Sequence, residues 1–187
     1  MDLVEHLKTL VPGKCGLDTG CGAGARDVYN LYLDGYNISG IDVVRENIDV
    51  AVEIHPEIRD RLSIADLRME LPFASESFDF VMCNVVIQHI EPDIVKGVTL
   101  SELSRVLKKD GVLQLMFKKG SGLLTVFDKD YGIKKTFHLY DEYEILDILK
   151  QLDFELIEIE SSEQLDGFMF FTDPKQAYHC VFYMNKR

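Results

Sequence analysis

Short apolar runs and helical stretches alternate along the chain. CGLDT at residues 15–19 has the length of a buried strand. ARDVYNLYL follows at 25–33, with Val28, Leu31 and Tyr32 on one helical face. YNISGID (36–42) reads as a second strand, and RENIDVAVEIH (45–55) as a helix that stops before Pro56. LSIAD (62–66) gives a third strand. ESFDFVMCNVV (76–86) gives a fourth, apolar at its centre as a strand buried on both faces is. EPDIVKGVTLSELSRVLKKDG (91–111) predicts a helix that opens on Pro92 and closes on Lys108, Lys109 and Gly111. GVLQLMFKK is a fifth strand. DEYEILDILKQLDF is a helix with Ile145, Ile148, Leu149 and Leu152 on one face. FELIEIESSE and HCVFYMN are two more strands, with no helical pattern between them.

This order predicts an α/β fold: a mostly parallel sheet between two layers of helices, ending in an antiparallel hairpin at one edge. No linker-like stretch interrupts the 187 residues, so residues 1–187 read as a single domain.

Charge narrows the partners. Twenty Lys and Arg against 32 Asp and Glu leave a net charge of −12. Such a surface repels phosphate backbones and anionic membranes, so nucleic acid is disfavoured as a partner and no membrane role is expected. Cys15, Cys21, Cys83 and Cys180 form no CxxC pair and have no zinc spacing, so no metal site is expected. Free cysteines and a charged N-terminal stretch that is no signal peptide point to the cytoplasm.

The candidate chemistry lies in LDTGCGAG, residues 17–24. Gly20, Gly22 and Gly24 follow the first strand, where open α/β sheets bind ligands. Glycines there let a ligand touch the main chain, and the next helix turns unpaired N–H groups toward it. The dinucleotide fingerprint is G-x-G-x-x-G, whereas here the third glycine comes one residue early. Asp18, two residues before the first glycine, would repel a pyrophosphate and would suit a ligand carrying an ammonium group.

LDTGCGAG resembles motif I of the class I S-adenosylmethionine-dependent methyltransferases, and LPFASESFDFV resembles a run frequent in their small-molecule branch. The order of elements is similar over roughly residues 10–187. The resemblance implies a Rossmann-like three-layer fold whose seven-stranded sheet ends in an antiparallel strand. It implies that S-adenosyl-L-methionine is the cofactor, released as S-adenosyl-L-homocysteine. It places Asp18, Gly20, Cys21, Gly22 and Gly24 in the cofactor turn. Asp42, with Val43 beside it, stands where the family's acid holds the ribose. Asp66 stands at the adenine amino group and Leu67 on the ring. Asn84 and Val85 lie at the methionine portion, with Gln88 and His89 at the mouth of the site.

Each residue alone has a plainer reading. A glycine turn is often only a turn, Asp66 alone suits a helix cap, and a lone histidine is more often satisfied or solvated than catalytic. Order and spacing raise the odds, since Asp18, Asp42 and Asp66 each end a successive predicted strand. An acceptor hydroxyl needs a base, for which His89 and His138 are candidates, whereas a neutral amine needs only lone-pair access. Asp141, in YDE with Tyr140 and Glu142, reads as a helix cap. Two predicted loops, KKGSGLLTVFDKDYGIKK and SSEQLDGFMFFTDPKQAY, are expected to shape the acceptor site. About a dozen residues precede the first strand. The site is therefore open to a macromolecular acceptor or a capping partner, or the helix MDLVEHLKTL covers it.

The leading expectation is methyl transfer to the nitrogen or oxygen of a small molecule. A protein or RNA acceptor with a capping partner is the alternative, and a homodimer is compatible with either. Two other classes are an NAD-dependent oxidoreductase and a non-catalytic subunit that keeps the cofactor fold.

Overall fold

The computed structural model describes residues 3–128, 132–158, 164–165, 168–172 and 178–187. The chain runs α1 (Leu3–Leu10), β1 (Cys15–Thr19), α2 (Arg26–Leu33), β2 (Asn37–Asp42), α3 (Arg45–Ile54), β3 (Leu62–Ile64) and β4 (Phe78–Asn84). It continues through α4 (Pro92–Ile94), a π turn (Val95–Thr99), α5 (Leu100–Val106) and β5 (Leu107–Lys119). Then come β6 (Leu123–Asp128), β7 (Ile133–His138), α6 (Glu142–Gln151), β8 (Phe154–Leu156), β9 (Gln164–Leu165), β10 (Phe168–Thr172) and β11 (Tyr178–Lys186).

Strands β3-β2-β1-β4-β5 lie side by side and parallel. β11 runs antiparallel beside β5, and β8 pairs antiparallel with the far edge of β11, which completes the expected seven-stranded sheet. β10 pairs with the start of β11, and β9 lies beyond it.

Apolar residues alternate to opposite faces of the sheet and bury two cores. Phe80, Met82, Val112, Val181 and Tyr183 pack against α1, α2 and Ala51 of α3. Val81, Cys83, Leu113, Leu115, Phe117 and Phe182 pack against α5 and α6. The expected helix faces hold: Val28 and Leu31 are buried in α2, and Ile145 and Leu149 in α6. Asp141 caps α6, its carboxylate accepting from the Tyr143 and Glu144 N–H groups, each at 3.0 Å.

The expected antiparallel hairpin at one edge is formed by β8 and β11, with β11 on its inner side against β5. Two expectations differ. The long helix ends at Val106 rather than near Lys109. Leu107 is extended, buried and paired with Phe78, and the Lys108 ammonium meets Asp79 at 2.8 Å, so this segment joins the sheet. The stretch KKGSGLLTVFDKDYGIKK is not a loop, since it contains the antiparallel hairpin β6–β7. Its strand-forming Thr125 and Thr136 place their hydroxyls 3.0 Å apart across it. Most of SSEQLDGFMFFTDPKQAY lies outside the described residues, which include from it only the backbone courses of β9 and β10 and the start of β11.

Candidate active site

The tips of β1, β2 and β4 converge on two cavities. The first, of about 820 Å³, is lined by Asp18, Gly20, Cys21, Gly24, Asn84, Val85 and Met116, with Leu3, Val4, Glu5 and Lys8 of α1 on its outer side. The second, of about 600 Å³, is lined by Asp42, Val43, Asn47, Asp66, Leu67, Arg68, His89 and Lys135. Gly20, Asn84 and Val85 line both and form the waist between them. Helix α1 thus lines one side of the first cavity.

The glycine turn is held tightly from below. Gly20 has φ +83°, its N–H donates to the Ile41 carbonyl at 2.7 Å, and a Cβ there would meet Val86 Cγ2 at 2.4 Å. Only glycine satisfies both constraints. Gly22 lines neither cavity; its N–H donates to the Asp42 carboxylate at 3.0 Å. Ala25 then takes a left-handed conformation and starts α2 without a side-chain cap, leaving the first turn's N–H groups beside the first cavity.

The three strand-end acids differ in their surroundings. Asp18 is 6 % exposed, and among the described residues no donor reaches its carboxylate. Burial, followed by repulsion from Asp27 and Asp42, pushes its carboxyl up to about 8. A buried acid without a partner, facing a cavity, is a strong functional-site signal. Asp42 is fully engaged: Oδ1 accepts from Val44 N at 2.9 Å and Asn47 Nδ2 at 3.1 Å, and Oδ2 accepts from Gly22 N. It therefore braces the glycine turn as well as facing the cavity. Replacing Asp42 with alanine is expected to cost about 1–2 kcal/mol in urea unfolding, because these donors lose their acceptor. Unchanged stability would show that the turn is braced elsewhere. Asp66 is forked by Arg68, with Nε 3.0 Å from both carboxylate oxygens and Nη2 2.7 Å from Oδ2. That guanidinium holds the Asp66 carboxyl below its usual range.

Past β4, the chain turns through Val85, a β-branched residue at φ +55°. Such a conformation costs on the order of 1–3 kcal/mol. It is held by the Val85 N–H, which donates to the Met116 carbonyl at 2.7 Å. Asn84 accepts from Gln114 at 2.9 Å. Gln88 is buried, lines neither cavity, and its Oε1 has no hydrogen-bond partner among the described residues. Tyr140 clamps the turn that follows, its hydroxyl reaching the Ile90 carbonyl at 2.7 Å and the Ile87 carbonyl at 3.1 Å.

His89 is partly exposed. Its ring meets Phe137 of β7 edge-on, with centroids 5.1 Å apart. Burial of the ring lowers its pKa, and the charges of Lys135 and Lys118 lower it further, so the imidazole is neutral at pH 7. His138, the other candidate base, lines neither cavity. Asn47, Arg68, Met116 and Lys135 were not singled out as site residues in the sequence. Asn47, five residues after Asp42 in the first helical turn after β2, carried the only local hint.

A model of the methyltransferase domain family matches residues 17–115, from β1 into β5. The chain belongs to this family. The domain is 32 % identical over 167 residues to phosphoethanolamine N-methyltransferase 2 of Caenorhabditis elegans, covering 86 % of this chain and 37 % of that protein. It is 35 % identical over 108 residues to 2-methyl-6-phytyl-1,4-hydroquinone methyltransferase of Synechocystis, covering 57 % of this chain and 33 % of that protein. This methyltransferase domain thus spans about a third of the length of those two relatives. Among solved structures, an S-adenosylmethionine-dependent methyltransferase of Methanosarcina mazei shares the fold with a TM-score of 0.74 at 20 % identity, over 100 % of this chain and 99 % of that one.

Proposed function

We propose that this domain transfers a methyl group from S-adenosylmethionine to a nitrogen or oxygen atom of a small molecule. The observation that carries this reading is Asp18. It is a buried carboxylate without a donor among the described residues, at the tip of β1, and an ammonium group would satisfy it. The second cavity suits a nucleoside, with Ile41, Ala65 and Leu67 as apolar walls and Asp42 with Asn47 as a polar end. Asp42 has taken three protein donors and has room for about one more, so Asn47 would share the ribose. An adenine amino group at Asp66 would compete with the Arg68 fork.

S-adenosylmethionine supplies an electrophilic methyl group on a sulfonium leaving group. The protein's task is then alignment and exclusion of water. Asn84 and strained Val85 fix the floor where the cavities join, and neutral His89 accepts the proton of a hydroxyl acceptor. The acceptors named for the relatives, phosphoethanolamine and a hydroquinone, are small molecules. The net charge of −12 disfavours an RNA acceptor. Free cysteines fit a reducing compartment such as the cytoplasm.

Calorimetric titration tests the cofactor. S-adenosylhomocysteine is expected to bind with micromolar affinity, with NADH producing no heat. Binding of NADH alone would reassign the glycine turn to an oxidoreductase. Silence from both would favour a non-catalytic scaffold.

A further inference from the structure

Gln114 is an unusual residue for its place in the core. It lies in the middle of β5, fully buried, with Met82 of β4 and Tyr183 of β11 as its register partners. Val112 and Met116, two residues to either side, share its face of the strand. Met82, Val112 and Tyr183 belong to the apolar core under α1 and α2. A buried amide in such surroundings costs stability unless its polar atoms are paired. Here Nε2 donates to Asn84 Oδ1 at 2.9 Å, while Oε1 has no donor among the described residues. Methionine would fill a similar space and leave nothing unpaired. The hydrogen bond to Asn84 is therefore what the glutamine adds.

That bond decides how Asn84 faces the cavities. An asparagine amide has an accepting oxygen at one corner and donating N–H groups at the other. With Oδ1 turned to Gln114, the amide nitrogen is turned to the waist, where Asn84 lines both cavities. Reversing both amides would leave Gln114 with a buried nitrogen lacking any acceptor in place of a carbonyl lacking a donor, and orphaned N–H groups are the rarer. On the proposed reading the nucleoside fills the second cavity and the ammonium meets Asp18 in the first. The sulfonium that joins them then crosses the waist between Gly20, Asn84 and Val85.

We propose that Gln114 is a positioning residue: it fixes the Asn84 amide so that an N–H donor, and not a carbonyl oxygen, faces the methyl group of bound S-adenosylmethionine. A donor there suits an oxygen acceptor, which accepts from Asn84 through one lone pair and attacks the methyl group with another. In that step the O–C bond forms, the pair of the C–S bond stays on sulfur, and the proton goes to His89. The Asn84 N–H stabilises the negative charge that develops on the oxygen as the proton leaves.

The inference rests on the proposed methyltransferase reading, and the experiment separates the two. The protein is first titrated with S-adenosylhomocysteine; absence of binding overturns the cofactor reading itself. S-adenosylmethionine isotopically labelled in its methyl group is then bound to labelled protein and observed by nuclear magnetic resonance. Overhauser contacts are expected between the methyl protons and the Asn84 Nδ2 protons, and their absence would overturn the proposal. This readout uses the unsubstituted protein and stands whether or not a variant folds. Sinefungin, an analogue with an ammonium-bearing carbon in place of the methylated sulfur, supplies the second. An ammonium at the waist opposes an N–H donor and suits a carbonyl oxygen. Gln114→Met frees the Asn84 amide to turn, so sinefungin should gain about tenfold or more in affinity relative to S-adenosylhomocysteine. The melting temperature should hold or rise, because the unpaired carbonyl is gone. A merely structural glutamine would leave the affinity ratio where it was, and an unchanged ratio would overturn the proposal.

Discussion

Replacing Asp18 with asparagine is expected to weaken S-adenosylhomocysteine binding by about 10- to 100-fold, the loss of one hydrogen-bonded charge contact in a buried site. The same substitution should stabilise the free protein at high pH. The sign follows from the raised pKa. Below the ordinary value of 3.8, folded and unfolded chains both carry the proton; between there and about 8 only the folded chain keeps it. Stability therefore falls as pH rises through this window, and the full cost is present above it. Asparagine has no charge to bury and escapes that cost. The melting temperature of Asp18→Asn should exceed that of the unsubstituted protein by roughly 5 °C or more at high pH, and the gap should close toward pH 4. Ligand binding to the unsubstituted protein at pH 6–7 should release about one proton, because an ammonium partner needs the carboxylate ionised. A pH-independent gap, or binding without proton release, would show that Asp18 is not the ammonium site.

Replacing His89 with alanine is expected to lower turnover of a hydroxyl acceptor on the order of 100-fold, a typical contribution of a positioned base. S-adenosylhomocysteine affinity should change by less than about twofold, since the loss lies in proton transfer rather than in cofactor contact. The pH profile separates a base from a merely structural histidine. The pKa of His89 lies below the ordinary 6.5, so the neutral form persists into mild acid, and activity should fall only as pH drops through that lower value. Removing the Lys135 charge should move this acidic limb upward, toward 6.5. Full turnover in His89→Ala would exclude the base, leaving the histidine as packing for Phe137.

Much of the site was legible because its signals are local. Gly20 is required by its own backbone conformation and by contact with Val86, which lies two residues past β4 in the parallel neighbour of β1. Asp18, Asp42 and Asp66 end or closely follow three strands, and parallel pairing brings successive strand ends to one edge of the sheet. The capping role of Asp141 was likewise a matter of spacing within one turn. The hairpin β6–β7 escaped because its strands alternate lysine, threonine and apolar residues on a partly exposed surface, a weak pattern flanked by glycines.

The order of apolar and polar positions thus determined the parallel sheet, its helical layers and the glycine turn with its acids, because each depends on neighbours within a few residues. Tertiary structure alone decided how differently the three acids behave. Asp18 has no donor among the described residues and is raised in pKa, Asp42 is bound by three donors, and Asp66 is forked by Arg68. It also decided that β11 is interior and that Val85 turns through a strained conformation. The contact of His89 with the Phe137 ring, and of the Lys118 ammonium with the same ring, was decided the same way. These outcomes are sums of desolvation, charge and packing over groups distant in sequence, and only folding brings those groups within range of one another.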